Sequence, residues 1–518
     1  MCYVHDEIEL KMQAKPIAIL WKPRPLAECF AFSLFLFVFA QTGFSFTQSS
    51  TLFATDGSQS DVQAALSAAT SGDVVDIPAG SFIWGTNDTS LSVGAGVVLD
   101  GAGTNNTIIT LANNGPIYGS GVIQLSGAGS VAENFQIVGS SANVVTAFSA
   151  TGNSGWMITN ILYNGGTASA YFAYTGNYGL ITGCSINGDN GETELIFGRG
   201  PDDAWQTPDS WGTINAVYIE NCAFGNQGYV CDANANTRYV VRFCTMAGQQ
   251  KIDGHGKASN TPARGVRQME IYGNLWLAGG YYNAMEIRGG TAMIFDNTNT
   301  VSNYGNGSCA WMAFTEYGCQ AEWGNFTNTY QTPLNYPVDD QVGVGEDPKI
   351  AASDPAYVWN AVGTGNENPW PVTEGAVAAG AIALYQTQTG NTNATFTMQN
   401  IIAANRDYFI DEGKGSFDGN PSDGSPGVGE GTYSQMETIK PVMTNVAFWV
   451  TDQGSWNTKM PANTSGELYV WNGSAWVLKY VPYTYPYPYS ATHLAPASQS
   501  QQESPQVSPP GNLRPIQN

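Results

Sequence analysis

Between residues 217 and 297 apolar and polar positions alternate in short bursts, each closed by a polar turn: VYIENCAFGN, RYVVRFCTMAG, MEIYGNLW and MIFDNTN. Period-two alternation predicts strands with one face buried. The pattern extends upstream through AENFQIVG, ITNILYNG and ITGCSING. Aligning all seven puts Phe135, Ile161, Cys184, Cys222, Cys244, Asn274 and Asn297 at one equivalent position, with steps of 26, 23, 38, 22, 30 and 23 residues. Strands recurring at such intervals predict a solenoid whose coils stack on their neighbours. At that position the cysteines read as a buried thiol stack. Asn274 and Asn297 read as a side-chain ladder between coils rather than as catalytic groups.

The pattern changes at both ends. Residues 60 to 70 (SDVQAALSAAT) carry Val62, Ala65, Leu66 and Ala69 on one helical stripe, with Ser60 and Gln63 as a capping box. A helix there would cover the open end of the solenoid. After about residue 330 the regularity fades. Residues 431–490 contain ELYVWNGSAWVLKY, two aromatic strands around a tight turn, which predicts a C-terminal β hairpin or cap. The Ser, Gln and Pro-rich tail, 491–518, is expected to be disordered. Residues 1–40 read as a leader: Lys15, Lys22 and Arg24 precede the apolar run Ala31 to Ala40, which ends in a small-x-small site. That run is too short to span a membrane. The expected protein is secreted, extracellular or at the periplasm or cell surface, with no membrane span, and acts as a monomer.

Composition sharpens this. Sixty Gly and 12% charged residues suit short strands and tight turns. A net charge of −23 argues against nucleic acid. No Cys/His spacing suggests zinc. Cys309 and Cys319 are the best disulfide candidates if the compartment is oxidising.

Within this acidic chain, seven of the 19 Lys and Arg fall between positions 238 and 288: Arg238, Arg242, Lys251, Lys257, Arg264, Arg267 and Arg288. The acids in that window are Asp253, Glu270 and Glu286. Either the patch is a site for an acidic polysaccharide, whose carboxylates suit the guanidinium fork, or Arg242, Glu270 and Arg288 are ion-pair rungs between coils. The two longest steps insert loops at 187–215 and 249–268, and insertions in a solenoid emerge on one side and build the binding face. The first loop carries Arg199, Asp202, Asp203, Trp205, Asp209 and Trp211; the second carries Gly254-His255-Gly256. His255 is the one imidazole outside the leader and the tail. The tryptophans, with Tyr281 and Tyr282, are candidate sugar-stacking platforms or ordinary packing.

The opening DVQAALSAATSGDVVDIPAGSF, a helix followed by a Gly-Asp strand and a Pro-Ala-Gly turn, resembles the pectin-lyase-like right-handed parallel β-helix proteins. The resemblance covers about residues 51 to 330. It implies an all-β, single-stranded right-handed parallel β-helix over 51–430, with an N-terminal cap helix and a C-terminal β appendage. It also implies activity on uronate-containing polysaccharide, by β-elimination in the lyases of that superfamily. On this reading the catalytic candidates are His255, Lys251, Arg264 and Arg267, and the substrate-binding candidates are Arg288, Lys257, Arg242, Arg199, Trp205 and Trp211. No cofactor is required by the sequence. Calcium, used by related lyases, is the candidate, although no defined calcium spacing appears. Gly254-His255-Gly256 also matches a polygalacturonase motif, but the paired aspartates that accompany it there are absent, which ranks hydrolysis below elimination. A glycan-binding or adhesin β-helix without activity is the third reading.

Overall fold

The computed structural model describes residues 49–487 apart from 118, 142, 144, 167–170, 177, 189–193, 200–208, 226, 234–235, 257–264, 278–282, 302–307, 313–340, 344–352, 365–369, 376–381, 384–385, 388 and 458–464. Among the described residues three parallel sheets of 12, 10 and 9 strands run side by side. Each coil gives one strand to each sheet in turn. In one coil Val217–Glu220 lies in the first sheet, Ala223–Gly225 in the second and Gln227–Ala233 in the third. The next coil repeats this with Arg238–Arg242, Thr245–Met246 and Gln249–Gly254. The result is a right-handed parallel β-helix, the hand that parallel crossovers take. No helix among the described residues is long and apolar enough to cross a membrane.

The turn from the first sheet to the second is the same in coil after coil. The residue just before each aligned position has a left-handed backbone: Asn134, Asn160, Gly183, Asn221, Phe243, Gly273 and Asp296 all have φ between 48° and 67°. Asn, Asp and Gly tolerate that conformation best. The following residue then points inward. Cys184, Cys222 and Cys244 are buried free thiols there. Above them Asn274 Oδ1 accepts from the Cys244 amide at 3.0 Å, and Asn297 Oδ1 accepts from Asn274 Nδ2 at 3.1 Å. The two Asn side chains also donate to the carbonyls of Val241 and Ile271.

The cap helix spans Gln59–Ala68, and Val62 and Leu66 close the interior core. Its N-cap is Ser58, which accepts from the Asp61 amide at 3.3 Å, not Ser60. Gly57, with φ of 67°, turns the chain so that the cap falls two residues earlier.

The C-terminal part forms a four-stranded sheet: Val428–Gly431, Ala447–Val450, Glu467–Trp471 and Trp476–Tyr480, the last two pairing as an antiparallel hairpin. It packs along the outer face of the first sheet. There Tyr272 stacks on Phe295 and Phe295 on Trp359, each at 4.5 Å between ring centroids, against Trp449, Trp456 and Tyr480. Covering that face removes the alternation of burial. Early first-sheet strands such as Val74–Ile77 are buried at every second residue, whereas Val217–Glu220, Arg238–Arg242 and Gln268–Tyr272 are buried throughout.

Candidate functional site

The outer face of the third sheet gathers a compact set of ionisable groups. Within Gln249–Gly254, Ile252 points into the core while Lys251 and Asp253 point outward, and His255 continues the outward row. Register pairs Asp232 with Asp253, and Asp253 with Glu286, so three carboxylates stand in one column on adjacent coils. Gly254 pairs with Ile287, which brings His255 beside Arg288. The Arg288 amide donates to the Gly254 carbonyl at 2.9 Å.

Every member is buried: Asp232, Lys251, Asp253, His255, Glu286 and Arg288. Buried charges must be paired, and Asp253 with Arg288 and Glu286 with Lys251 form two such pairs. Arg288 holds Asp253 in a bidentate bond, Nε to Oδ1 at 3.2 Å and Nη2 to Oδ2 at 2.5 Å. Lys251 Nζ bonds Glu286 Oε2 and lies 4.2 Å from the centroid of the Tyr229 ring. Burial, and then the Asp253 charge, push the Glu286 carboxyl above its ordinary range, against the pull of Arg288 and Lys251. His255 Nδ1 lies 3.1 Å from the Gly256 carbonyl. Donation there leaves the ring's lone pair on Nε2.

Gly254 is required by packing rather than by ligand approach, because a Cβ there would lie 2.3 Å from Met269 Sδ across the core. The expected excess of positive charge is not found in this cluster. Two cations, Lys251 and Arg288, face three carboxylates.

The candidates therefore separate. Lys251, His255 and Arg288 converge on the third sheet. Arg242 and Arg267 do not: both are fully buried on the first-sheet side, where the C-terminal sheet packs. Arg242 pairs with Glu220 at 2.7 Å and donates to the carbonyls of Tyr483 and Thr484. Arg267 pairs with Asp209 at 2.6 Å and Asp354 at 3.4 Å. Trp211 packs edge-on against Tyr480 at 6.0 Å and donates to Asp209, so it belongs to the same junction rather than to a sugar platform. Lys257, Arg264, Asp202, Asp203, Trp205, Tyr281 and Tyr282 lie outside the described residues, as do the side chains of Arg199, Cys309 and Cys319. The two long insertions both leave the third sheet and return to the first, after Glu194–Arg199 and after Gln249–Gly254.

Sequence spacing concealed the carboxylate column, because the connections between its strands differ in length. Period-two alternation around Asp232, Asp253 and Glu286 marks each as outward-facing, and a strand-by-strand alignment of the third sheet would have recovered it.

Calcium would need about six to eight oxygen ligands. Asp253 and Glu286 already accept from Arg288 and Lys251, and among the described residues no group of three His, Cys, Asp or Glu side chains is placed to hold a metal ion. These residues do not fit calcium.

No family model and no curated protein sequence matches the chain. Solved structures similar to it include an alginate lyase from Paenibacillus sp. str. FPU-7, with a TM-score of 0.31 and 14% identity, covering 49% of this chain and 96% of that one. Another is the A-module of the mannuronan C-5 epimerase AlgE4 from Azotobacter vinelandii, with a TM-score of 0.14 and 13% identity, covering 50% and 92%. The scaffold is a right-handed parallel β-helix. Its three stacked parallel sheets carry that conclusion, and the ionisable groups gathered on it stand on the third sheet.

Proposed function

We propose that the outer face of the third sheet binds a uronate-containing polysaccharide and cleaves it by β-elimination, in an exported protein. The observation that carries this reading is the adjacency of His255 and Arg288 on neighbouring coils, with Lys251 one outward position before Asp253. Elimination needs a base for the C5 proton and a cation at the uronate carboxylate, where negative charge builds in the transition state. His255 Nε2 takes the C5 proton. The Arg288 guanidinium, shared with Asp253, stabilises the carboxylate. The C5 electron pair forms the C4–C5 double bond, the C4–oxygen bond breaks, and Lys251 protonates the departing oxygen. Asp253 and Glu286 hold the two cations in place.

A second reading is favoured by the column Asp232, Asp253 and Glu286. Strands on adjacent coils lie about 4.8 Å apart, close to the roughly 5 Å between the carboxyl groups of retaining glycosidases. On that reading Glu286, its proton affinity raised by burial, is the acid.

The products separate the two. Incubation with pectate, alginate and glycosaminoglycans, with and without added calcium, is expected to release unsaturated uronate, read by its ultraviolet absorbance. His255→Ala and Arg288→Ala are each expected to lower the rate by about 100-fold or more. New reducing ends without that absorbance support hydrolysis. Glycan binding with no product leaves a binding protein, and full activity in both variants removes this site from the chemistry.

A further inference from the structure

The C-terminal hairpin reaches the candidate site through one partly buried ion cluster. We infer that Arg267 and Lys479 are positioning residues that together fix His255 and Arg288. The inference rests on the proposed reading of the third sheet, and its test does not depend on activity.

Arg267 and Lys479 share two carboxylates. Arg267 Nη2 bonds Asp209 Oδ1 at 2.6 Å and Nη1 bonds Asp354 Oδ2 at 3.4 Å. Lys479 Nζ bonds the other oxygens of the same pair, Asp209 Oδ2 at 3.0 Å and Asp354 Oδ1 at 3.1 Å. Burial opposes ionisation of Asp209, yet Arg267 and Lys479 bring it down to about 2. The set is charge-neutral, two cations to two anions, and each member comes from a different stretch of chain.

What Arg267 fixes is backbone. Its amide donates to the Thr237 carbonyl at 2.9 Å, and the amide of the preceding Val266 donates to the His255 carbonyl at 2.8 Å. On the other side lies the turn that follows Arg288. Gly290 has φ of 65°, and a Cβ there would lie 2.5 Å from the Val266 carbonyl oxygen and 2.7 Å from that of Arg267. Gly290 is tied in turn to Gly343, and Gly343 to Asp354, by amide-to-carbonyl bonds of 3.0 and 2.9 Å. Val266–Arg267 is thus held between the carbonyl of the proposed base and the turn that carries the proposed electrophile. Removing Lys479 leaves the buried carboxylate of Asp354 and the partly buried one of Asp209 facing one guanidinium, and their repulsion redistributes onto Arg267.

The test is carried out on the full chain with ring-labelled histidine. The chain has three histidines, so His5→Asn and His493→Asn leave the His255 signal alone. In Lys479→Met the His255 Cε1 resonance is expected to shift or split through a pH titration, and the Val266 amide to exchange with solvent roughly tenfold faster or more. Lys479→Arg, which keeps the charge, is expected to restore both. Val477→Ala, on a half-exposed position of the same strand, is expected to change neither. A folded Lys479→Met with an unmoved His255 resonance and unchanged Val266 exchange overturns the inference. If Lys479→Met does not fold, Asp354→Asn is read the same way, and an unmoved resonance there overturns it equally. Absence of unsaturated product from the wild-type chain would sink the elimination reading while leaving these spectra to decide this one.

Discussion

Arg242→Met is expected to cost stability rather than ligand binding, and the structure sets its size. The guanidinium is fully buried. Its Nη2 lies 2.7 Å from Glu220 Oε2, Nη1 donates to the Tyr272 hydroxyl at 3.0 Å, and the fork reaches the carbonyls of Tyr483 at 2.7 Å and Thr484 at 3.1 Å. It also lies over the Tyr218 and Tyr485 rings, 4.8 and 5.3 Å from their centroids. Burial works against its charge, but Tyr272 and Glu220 more than restore it. Breaking a buried ion pair by removing one partner costs about 3–5 kcal/mol, because the other charge stays buried. Glu220 keeps one donor, the Tyr487 amide at 3.1 Å, which moves the figure toward the low end. Two carbonyls losing a charged donor move it back by about 1–3 kcal/mol each, without simple additivity. A loss of about 4 kcal/mol results. Replacing both partners, as in Glu220→Leu with Arg242→Met, is expected to recover much of it, since an apolar pair of similar volume avoids the stranded charge. Urea unfolding followed by tryptophan fluorescence measures both variants. A loss below about 1 kcal/mol in Arg242→Met, or lost polysaccharide binding with unchanged stability, would refute the reasoning and return Arg242 to the binding face.

Glu270 gives a pH prediction. Burial pushes its carboxyl up to about 7, partly offset by the Gly212 amide, the Tyr480 hydroxyl, Arg242 and Gln268. Because the folded value lies above the unfolded one, its contribution is full below pH of about 4 and is lost as pH rises through about 7; wild-type stability should fall over that window by roughly 3 kcal/mol more than in Glu270→Gln, as read from urea midpoints. Asn274→Ala removes the acceptor of the Cys244 amide and two donated bonds inside the core, and is expected to cost roughly 1–3 kcal/mol by the same assay. Cys184, Cys222, Cys231 and Cys244 are buried free thiols, and burial also holds those of Cys222 and Cys244 well above the usual range; native protein should leave all four unalkylated by iodoacetamide, with all four labelled in urea when peptides are weighed.

The coils were legible because each carries its own local signature. A left-handed residue, usually Asn or Gly, precedes an inward one, and period-two alternation brackets both. The cap helix was legible from its stripe, though Ser58 displaced Ser60 as its cap. The third-sheet cluster was legible only by halves. Lys251, His255 and Arg288 stood out as cations and imidazole, while the alignment of Asp232, Asp253 and Glu286 stayed hidden behind connections of unequal length. Arg242 and Arg267 misled because their partners lie far along the chain: Arg242 meets the carbonyls of Tyr483 and Thr484, and Arg267 meets Asp354. Alternation alone carries no information about such distant cover. The one available signal was the run of large residues on both faces of VYIE, RYVVR and QMEIY, which a strand exposed on one side does not carry.

The seam between the first and second sheets keeps one geometry from coil to coil, whereas the return from the third sheet to the first runs from Gly254 to Gln268 in one coil and only from Ile287 to Thr291 in the next. Coil stacking and loop length are therefore written in separate parts of each coil. A segment exchanged at the return is received by strands whose stacking it does not alter, so this β-helix can serve as a chassis for grafted loops. An insertion at the Asn-bearing seam would instead throw every later coil out of phase.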